Sequence, residues 1–210
     1  NQTEEEFADS RFQVLSELTR LRQLCCDPAL VYENYEGGSA KLDLCIELIQ
    51  SAVESGHKIL LFSQFTSMIE ILTARLQEES ISYFVLQGST KKEQRAQMVE
   101  QFNRDDTSVF CISLKAGGTG LNLTGADIVI HYDPWWNVAV ENQATDRAHR
   151  IGQKNVVTVY KLIAKGTIEE KIIKLQQMKK ELAEEILSGD EIKTASFQRE
   201  ELLALLEDRF

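Results

Sequence analysis

A chain of 210 residues, 43% apolar and 27% charged, has the make-up of a globular protein and the length of one domain with appendages. No apolar run approaches the ~20 residues of a membrane helix. Four cysteines (Cys25, Cys26, Cys45, Cys111), with no CxxC pair and no histidines at zinc spacing, exclude the common zinc frameworks and fit a reducing, cytosolic compartment.

The net charge of −10 is unevenly spread. Residues 1–40 hold 8 acids and 3 bases, and residues 181–210 hold 9 acids and 3 bases. The middle of the chain is therefore close to neutral and leaves room for a local basic groove. The start, NQTEEEFADS, is acidic, polar and without Met, so a domain cut from a longer chain is expected rather than a secretory leader.

Val14, Leu15, Leu18, Leu21 and Leu24 recur at helical spacing and predict a helix over 10–26. It should stop before Asp27-Pro28, because the residue preceding proline avoids the α region. NYEGGS (34–39) reads as a loop. A second helix is expected over 40–55, with Leu42, Cys45, Ile46, Leu48, Ile49 and Val53 on one side and Gly56 at its end.

Strand and helix patterns then alternate. KILLFS (58–63) is a continuous apolar run, the mark of a strand buried on both faces. Residues 67–79 read as a helix, 82–87 as a strand, and 90–103 as a helix opened by a Thr90–Glu93 capping box. Strands follow at 108–113 and 127–133, then a helix at 138–149 and a strand at 156–163. Cys111, inside an apolar strand, is expected to be a reduced, buried thiol. This alternation predicts an α/β fold, an open, mainly parallel sheet flanked by helices. Residues 167–187 form a long helix stopped by Gly189, and 197–207 a short amphipathic one. Binding loops of such sheets sit at the carboxyl ends of the strands, which points to 63–66, 87–90, 113–125 and 133–153.

SLKAGGTGLNLTGAD (113–127) is a glycine-rich loop after a strand, and such loops let backbone approach a ligand. A dinucleotide fingerprint is a poor fit, because Leu123 stands where Gly118 and Gly120 would require a third glycine. In ENQATDRAHRIGQ (141–153), a continuous helix would place Gln143, Arg147 and Arg150 on one face. Surface ion pairs with Glu141 and Asp146 would account for the two arginines. The other reading is that they await phosphate, which the planar guanidinium engages bidentately. No G-x-x-x-x-G-K-[ST] occurs, and GGSAK (37–41) imitates it poorly. Arginines poised for phosphate without a phosphate loop describe half of a site.

LLFSQF (60–65), LQGSTKKEQR (86–95), SLKAGGTGLNLTGAD, HYDPWWN (131–137) and QATDRAHRIGQ (143–153) together resemble the consecutive second-lobe motifs of the Swi/Snf-type ATPases of helicase superfamily two. LRQLCCDPAL (21–30), AKLDLCIELI (40–49) and the segment 167–187 resemble that family's flanks. Val138 departs from the proline many members carry there.

The resemblance implies a RecA-like C-terminal lobe at 39–166. An N-terminal flanking helix and interlobe linker would occupy 1–38, and a brace helix with an acidic tail 167–210. It implies an ATP hydrolase in the full-length protein and an inactive lobe in isolation. Arg147 and Arg150 would be catalytic arginine fingers, and Gly120, Asn122 and Gln143 would lie at the nucleotide. Ser63, Gln64, Gly88, Ser89, Thr90, Ser113 and Lys115 would contact DNA backbone. For Ser63 and Ser89, helix capping is the competing reading. Trp135 and Trp136 are expected to pack in the core or between lobes, and His131 and His149 to be structural.

ATP with Mg2+ is the implied cofactor, the metal held by the N-terminal lobe. The implied partners are double-stranded DNA, that lobe, and a DNA-bound protein to be displaced, with no membrane. The expected location is the cytoplasm, associated with the nucleoid, in a bacterium or the nucleus in a eukaryote. A strand-separating helicase lobe and a non-catalytic docking module are the alternatives.

Overall fold

The computed structural model describes residues 4–114, 116, 121–149, 152, 153 and 155–187, and side chains between 13 and 180. Five strands form one parallel sheet: β1 (Ile59–Ser63), β2 (Tyr83–Leu86), β3 (Val109–Ser113), β4 (Ile128–His131) and β5 (Thr158–Lys161). Their order across the sheet is β2–β3–β1–β4–β5. All four pairings are parallel, with Ser63 opposite Ser113 and Phe62 opposite His131. The open parallel α/β sheet expected from the alternation is the fold observed.

The apolar run of β1 explains its central place. Ile59 and Leu61 face one side of the sheet, where α2 (Ala40–Glu54) and α3 (Thr66–Glu78) cover them with Ile46, Ile49, Ile69 and Leu72. Leu60 and Phe62 face the other side, beneath Phe102 of α4 (Lys92–Arg104) and Ala144 of α5 (Val138–Thr145). Both faces of β1 are thus closed by the chain's own helices, as a strand without polar alternation requires, whereas the edge strand β5 is exposed along its length. Cys45 and Cys111 are buried, free thiols, and burial pushes the Cys45 thiol up to about 12, so both act as packing groups.

Helix α1 (Glu4–Cys26) begins earlier than its periodicity suggests and ends before Asp27, whose side chain caps the short 3-10 turn Pro28–Leu30. Gly56, at a φ of 80°, supplies the left-handed residue that closes α2. Helix α6 (Ile168–Leu187) packs against α1 and is fastened to α2 by Glu169, which receives Lys41 at 2.7 Å on both oxygens. The expected stop at Gly189 and helix at 197–207 lie outside the described residues.

Two local expectations fail. The Thr90–Glu93 capping box does not form. The Thr90 hydroxyl turns back to accept the Gln87 N–H at 3.1 Å, and α4 starts at Lys92 with Lys91 as an N-cap that makes no side-chain bond. The helix expected over 138–149 ends at Thr145. Beyond it Arg147 N and Ala148 N take the short-range carbonyls of Ala144 and Thr145, a tighter turn than an α-helix.

Candidate nucleotide and DNA site

The carboxyl ends of the strands bring the sequence-predicted residues to one edge of the sheet. Ser63 and Ser113 end β1 and β3 as register partners, and Leu114 N donates to the Ser63 carbonyl at 3.0 Å. Both serines are buried. Ser63 Oγ donates to Asp133 Oδ1 at 2.6 Å and accepts the Phe65 N–H at 3.2 Å, while Ser113 Oγ accepts the Ala116 N–H at 3.2 Å. Ser63 therefore shapes the loop after β1 and does not cap α3. Gln64 is half-buried, with its amide donated to Asp133 Oδ2 at 2.6 Å. Gly88 and Ser89 are exposed and Thr90 half-buried in the loop after β2. Lys115 lies outside the described residues.

Asp133 organises this edge, a role no spacing revealed. It is 1% exposed and gathers Ser63, the Gln64 amide and the Gln64 N–H. Burial holds its carboxyl above the ordinary carboxylate range, opposed by the Ser63 hydrogen bond and the Arg22 charge.

Arg95 performs a second unanticipated task. Its Nε donates to the Thr90 carbonyl at 2.8 Å, its Nη1 to Ala116 at 2.9 Å, and its Nη2 to Gly88 at 3.1 Å and Gln87 at 3.3 Å. One guanidinium thus ties the loop after β2 to the loop after β3, and only a planar fork can serve so many carbonyls. Both residues stand inside the motifs LQGSTKKEQR and HYDPWWN. For Asp133 the signal that would have found it is a lone charge at the end of a buried strand; Arg95, close to Lys91, Lys92 and Glu93 and on α4, carries no such signal.

Farther along the edge, the stretch from Asn122 to Ala126 meets the stretch that carries Arg147. Leu123 N donates to the Arg147 carbonyl at 3.1 Å. Gln153 Nε2 donates to the carbonyls of Ala126 (2.7 Å), Ala148 (3.1 Å) and Thr124 (3.2 Å). Asn103 of α4 adds a bond from Nδ2 to the Asn122 carbonyl at 2.8 Å and accepts the Gly125 N–H at 2.9 Å. Among the described residues, Asn122–Ala126 of the glycine-rich segment is therefore tied by hydrogen bonds to Arg147, Ala148 and Gln153 of the arginine segment and to Asn103 of α4.

Asn122 is exposed, whereas Arg147 is 4% exposed with its guanidinium 5.7 Å from the Phe62 ring. Because α5 ends at Thr145, exposed Gln143 and buried Arg147 do not share a helical face, which corrects the reading by periodicity. Glu141 is not a surface partner for the arginines. It is fully buried, paired with Lys161 of β5, and accepts the Trp135 N–H at 3.2 Å. Gly120 and Arg150 lie outside the described residues.

Trp135, Trp136 and His131 pack as expected, whereas His149 is exposed. Trp135 packs partly buried against the core, and Trp136 is half-buried under Arg22. His131 is buried, stacked on Phe62 at 5.4 Å, and its Nε2 meets Thr145 Oγ1 at 2.9 Å. Burial pushes its pKa down to about 4, so it is a neutral structural group at physiological pH.

The model of the helicase conserved C-terminal domain matches residues 40–152. An uncharacterized ATP-dependent helicase of Mycoplasma pneumoniae is 45% identical over 94% of this chain, which spans 19% of that protein. The human chromatin-remodeling ATPase INO80 is 44% identical over 81% of this chain, which spans 11% of it. The chain thus covers about a fifth or less of these relatives. The C-terminal domain of the Sulfolobus solfataricus SWI2/SNF2 ATPase superimposes with a TM-score of 0.70 at 33% identity, over 89% of this chain and 75% of that one. The core of the same ATPase, solved in complex with double-stranded DNA, gives 0.68 at 37% identity, over 83% and 37%. With the ordered motifs and the parallel sheet, these likenesses establish that the chain belongs to the helicase conserved C-terminal domain family, as a RecA-like C-terminal lobe of the Swi2/Snf2 type.

Proposed function

We propose that this lobe is the second motor lobe of an ATP-dependent translocase on double-stranded DNA, completing an ATP site whose phosphate loop stands on an N-terminal lobe. Arg147 and Arg150 act as the arginine fingers, and Gly120, Asn122 and Gln143 border the nucleotide. The observation that carries this reading is the bonded body in which Leu123, Gln153 and Arg147 lock the glycine-rich and arginine segments together. Phosphoryl transfer needs charge placed in advance where negative charge develops, and a fixed joint between these segments supplies it.

DNA runs along the edge formed by Ser63, Gln64, Gly88, Ser89, Thr90, Ser113 and Lys115. The exposed Gly88–Ser89 turn and the Lys115 ammonium take phosphates without reading bases, while the buried Ser63 and Ser113 hydroxyls and the Gln64 amide, already bonded within the lobe, set the shape of that edge. The Sulfolobus relative solved with double-stranded DNA supports duplex DNA as the ligand. ATP binds with Mg2+, the metal being held by the N-terminal lobe, and the ATP-dependent helicase relatives support the use of ATP. The chromatin-remodeling relative supports a nuclear setting in a eukaryote and a protein-bound DNA substrate.

The test is Arg150→Ala in the full-length protein. DNA-stimulated kcat should fall on the order of 10³-fold with ATP affinity and melting temperature retained, and Arg150→Lys should restore little. Normal turnover with a lowered melting temperature would mark a structural salt bridge and defeat the proposal. Strand separation without translocation on intact duplex would favour a helicase lobe.

A further inference from the structure

Helices α1 and α6 lie outside the helicase-domain match at 40–152, yet each sends a buried side chain to the loop after β4. Arg22 of α1 is 4% exposed, and its Nη2 donates to the Pro134 carbonyl at 2.8 Å. Its guanidinium also lies 4.9 Å from the Trp136 ring and 5.8 Å from the Phe65 ring. Gln176 of α6 is buried as well and donates its amide to the next carbonyl, that of Trp135. Two consecutive carbonyls are thus held from two flanking helices, which contact each other.

Burying a guanidinium is costly, and desolvation draws Arg22 below its ordinary pKa against the opposing charge of Asp133. Apolar packing alone would join α1 to the sheet without that cost. What the arginine adds is direction: a planar cation between two rings, with one hydrogen bond aimed at a loop backbone. The loops it touches belong to the DNA edge. Phe65 follows Gln64, and Pro134 follows Asp133, which holds Ser63 and Gln64. Both strand-end loops therefore meet on a residue contributed from outside the domain.

We propose that Arg22 and Gln176 are positioning residues that clamp the Pro134–Trp136 loop, and with it the Ser63–Gln64 edge, in the geometry that couples DNA contact to ATP hydrolysis. This inference rests on the functional reading above. Neither side chain touches nucleotide in that reading. A displacement of α1 or α6 reaches the DNA edge through these two bonds.

The test compares Arg22→Met and Gln176→Leu with wild type in the full-length protein. In Arg22→Met the DNA-stimulated rate should fall about tenfold, within the range of measured coupling energies. The DNA-independent rate and the KM for ATP should stay within about twofold. Arg22→Lys should restore little, because an ammonium cannot stack as the planar group does. The two tryptophans of the 210-residue chain are Trp135 and Trp136, so its emission reports this loop directly, and both variants should shift it to the red.

Equal loss of DNA-dependent and DNA-independent rates, or normal stimulation with a lowered melting temperature, would overturn the proposal. Should Arg22→Met fail to fold, Gln176→Glu carries the test. It keeps the size but sets a carboxylate against the Trp135 carbonyl, and normal stimulation in that variant would equally overturn the clamp. Absence of DNA stimulation in the wild-type full-length protein would instead defeat the functional reading. Tryptophan emission of the variants then still decides whether the clamp sets the loop.

Discussion

The side-chain amide of Gln64 donates to the Asp133 carboxylate at 2.6 Å, and Ser63 donates to the other oxygen at the same distance. Donors from the end of β1 thus converge on an acceptor at the end of β4. Asp133→Asn should turn part of that acceptor into a donor facing donors. The expected cost is ~1–3 kcal/mol, the desolvation penalty of polar groups left unmatched in the interior. Gln64→Ala removes one donor and should cost less. Urea unfolding of the two variants checks the ranking, and equal stability of Asp133→Asn and wild type would refute the hub.

Glu141 and Lys161 form an unequal pair. The Glu141 side chain is 1% exposed, whereas that of Lys161 is 41% exposed. Removing the lysine strands a buried carboxylate, so Lys161→Met should destabilise by roughly 2–3 kcal/mol, below the full penalty for a buried pair because water reaches the lysine side. Adding Glu141→Gln should recover much of that loss. A double-mutant cycle measures the coupling, and simple additivity would show that the two groups act independently.

His131 predicts a pH dependence. Its pKa is pushed down to about 4 by burial, against 6.5 in an unfolded chain. Its contribution to stability is complete above pH 6.5 and is lost as pH falls towards 4, because the unfolded chain takes up the proton first. Between pH 7.5 and pH 5 the loss should be about 2 kcal/mol. His131→Phe should be less stable at pH 7.5, having lost the Thr145 contact, but show a shallower decline over that window. Urea midpoints at the two pH values give the comparison, and parallel declines would count against the assignment.

Arg95 holds four carbonyls of two loops. Arg95→Lys offers one ammonium in their place and should lose ~1–3 kcal/mol. The Thr90 N–H, bonded to the Gln87 carbonyl at 3.0 Å, should then exchange with solvent markedly faster. Unchanged exchange at Thr90 would mean the loop holds itself.

The 210-residue chain by itself should hydrolyse no ATP, with or without DNA, since it carries no phosphate loop. Coupled-enzyme turnover above background would contradict a site shared between two lobes.

The sheet was legible in the sequence because its signal is local. ILLFS has no polar alternation, and burial on both faces is the arrangement that accepts it. The capping box failed because the Thr90 hydroxyl found a closer partner in the Gln87 N–H, in a loop whose shape depends on Arg95. Helix α5 was overextended for a similar reason. Nothing near Asp146 breaks a helix, and the turn there is held from Gln153, whose amide takes the Ala148 carbonyl. The motifs located the functional edge, but the tasks of Asp133, Arg95 and Arg22 arise from burial and long-range carbonyls, which spacing along a chain does not encode.

The central place of β1 also bears on how the lobe is made. It is the earliest strand in the chain, yet its neighbours begin at Val109 and Ile128, respectively 50 and 69 residues after Ile59. At ribosomal speeds of ~5–20 residues per second, completing both pairings takes roughly 4–14 seconds. Until β3 emerges this strand has two bare edges, and until β4 emerges it has one, with only the side that α2 and α3 can already shelter. The nascent lobe is therefore most exposed to mispairing before β4 emerges, and changes that slow translation between residues 64 and 131 should lower the soluble yield without altering the finished protein.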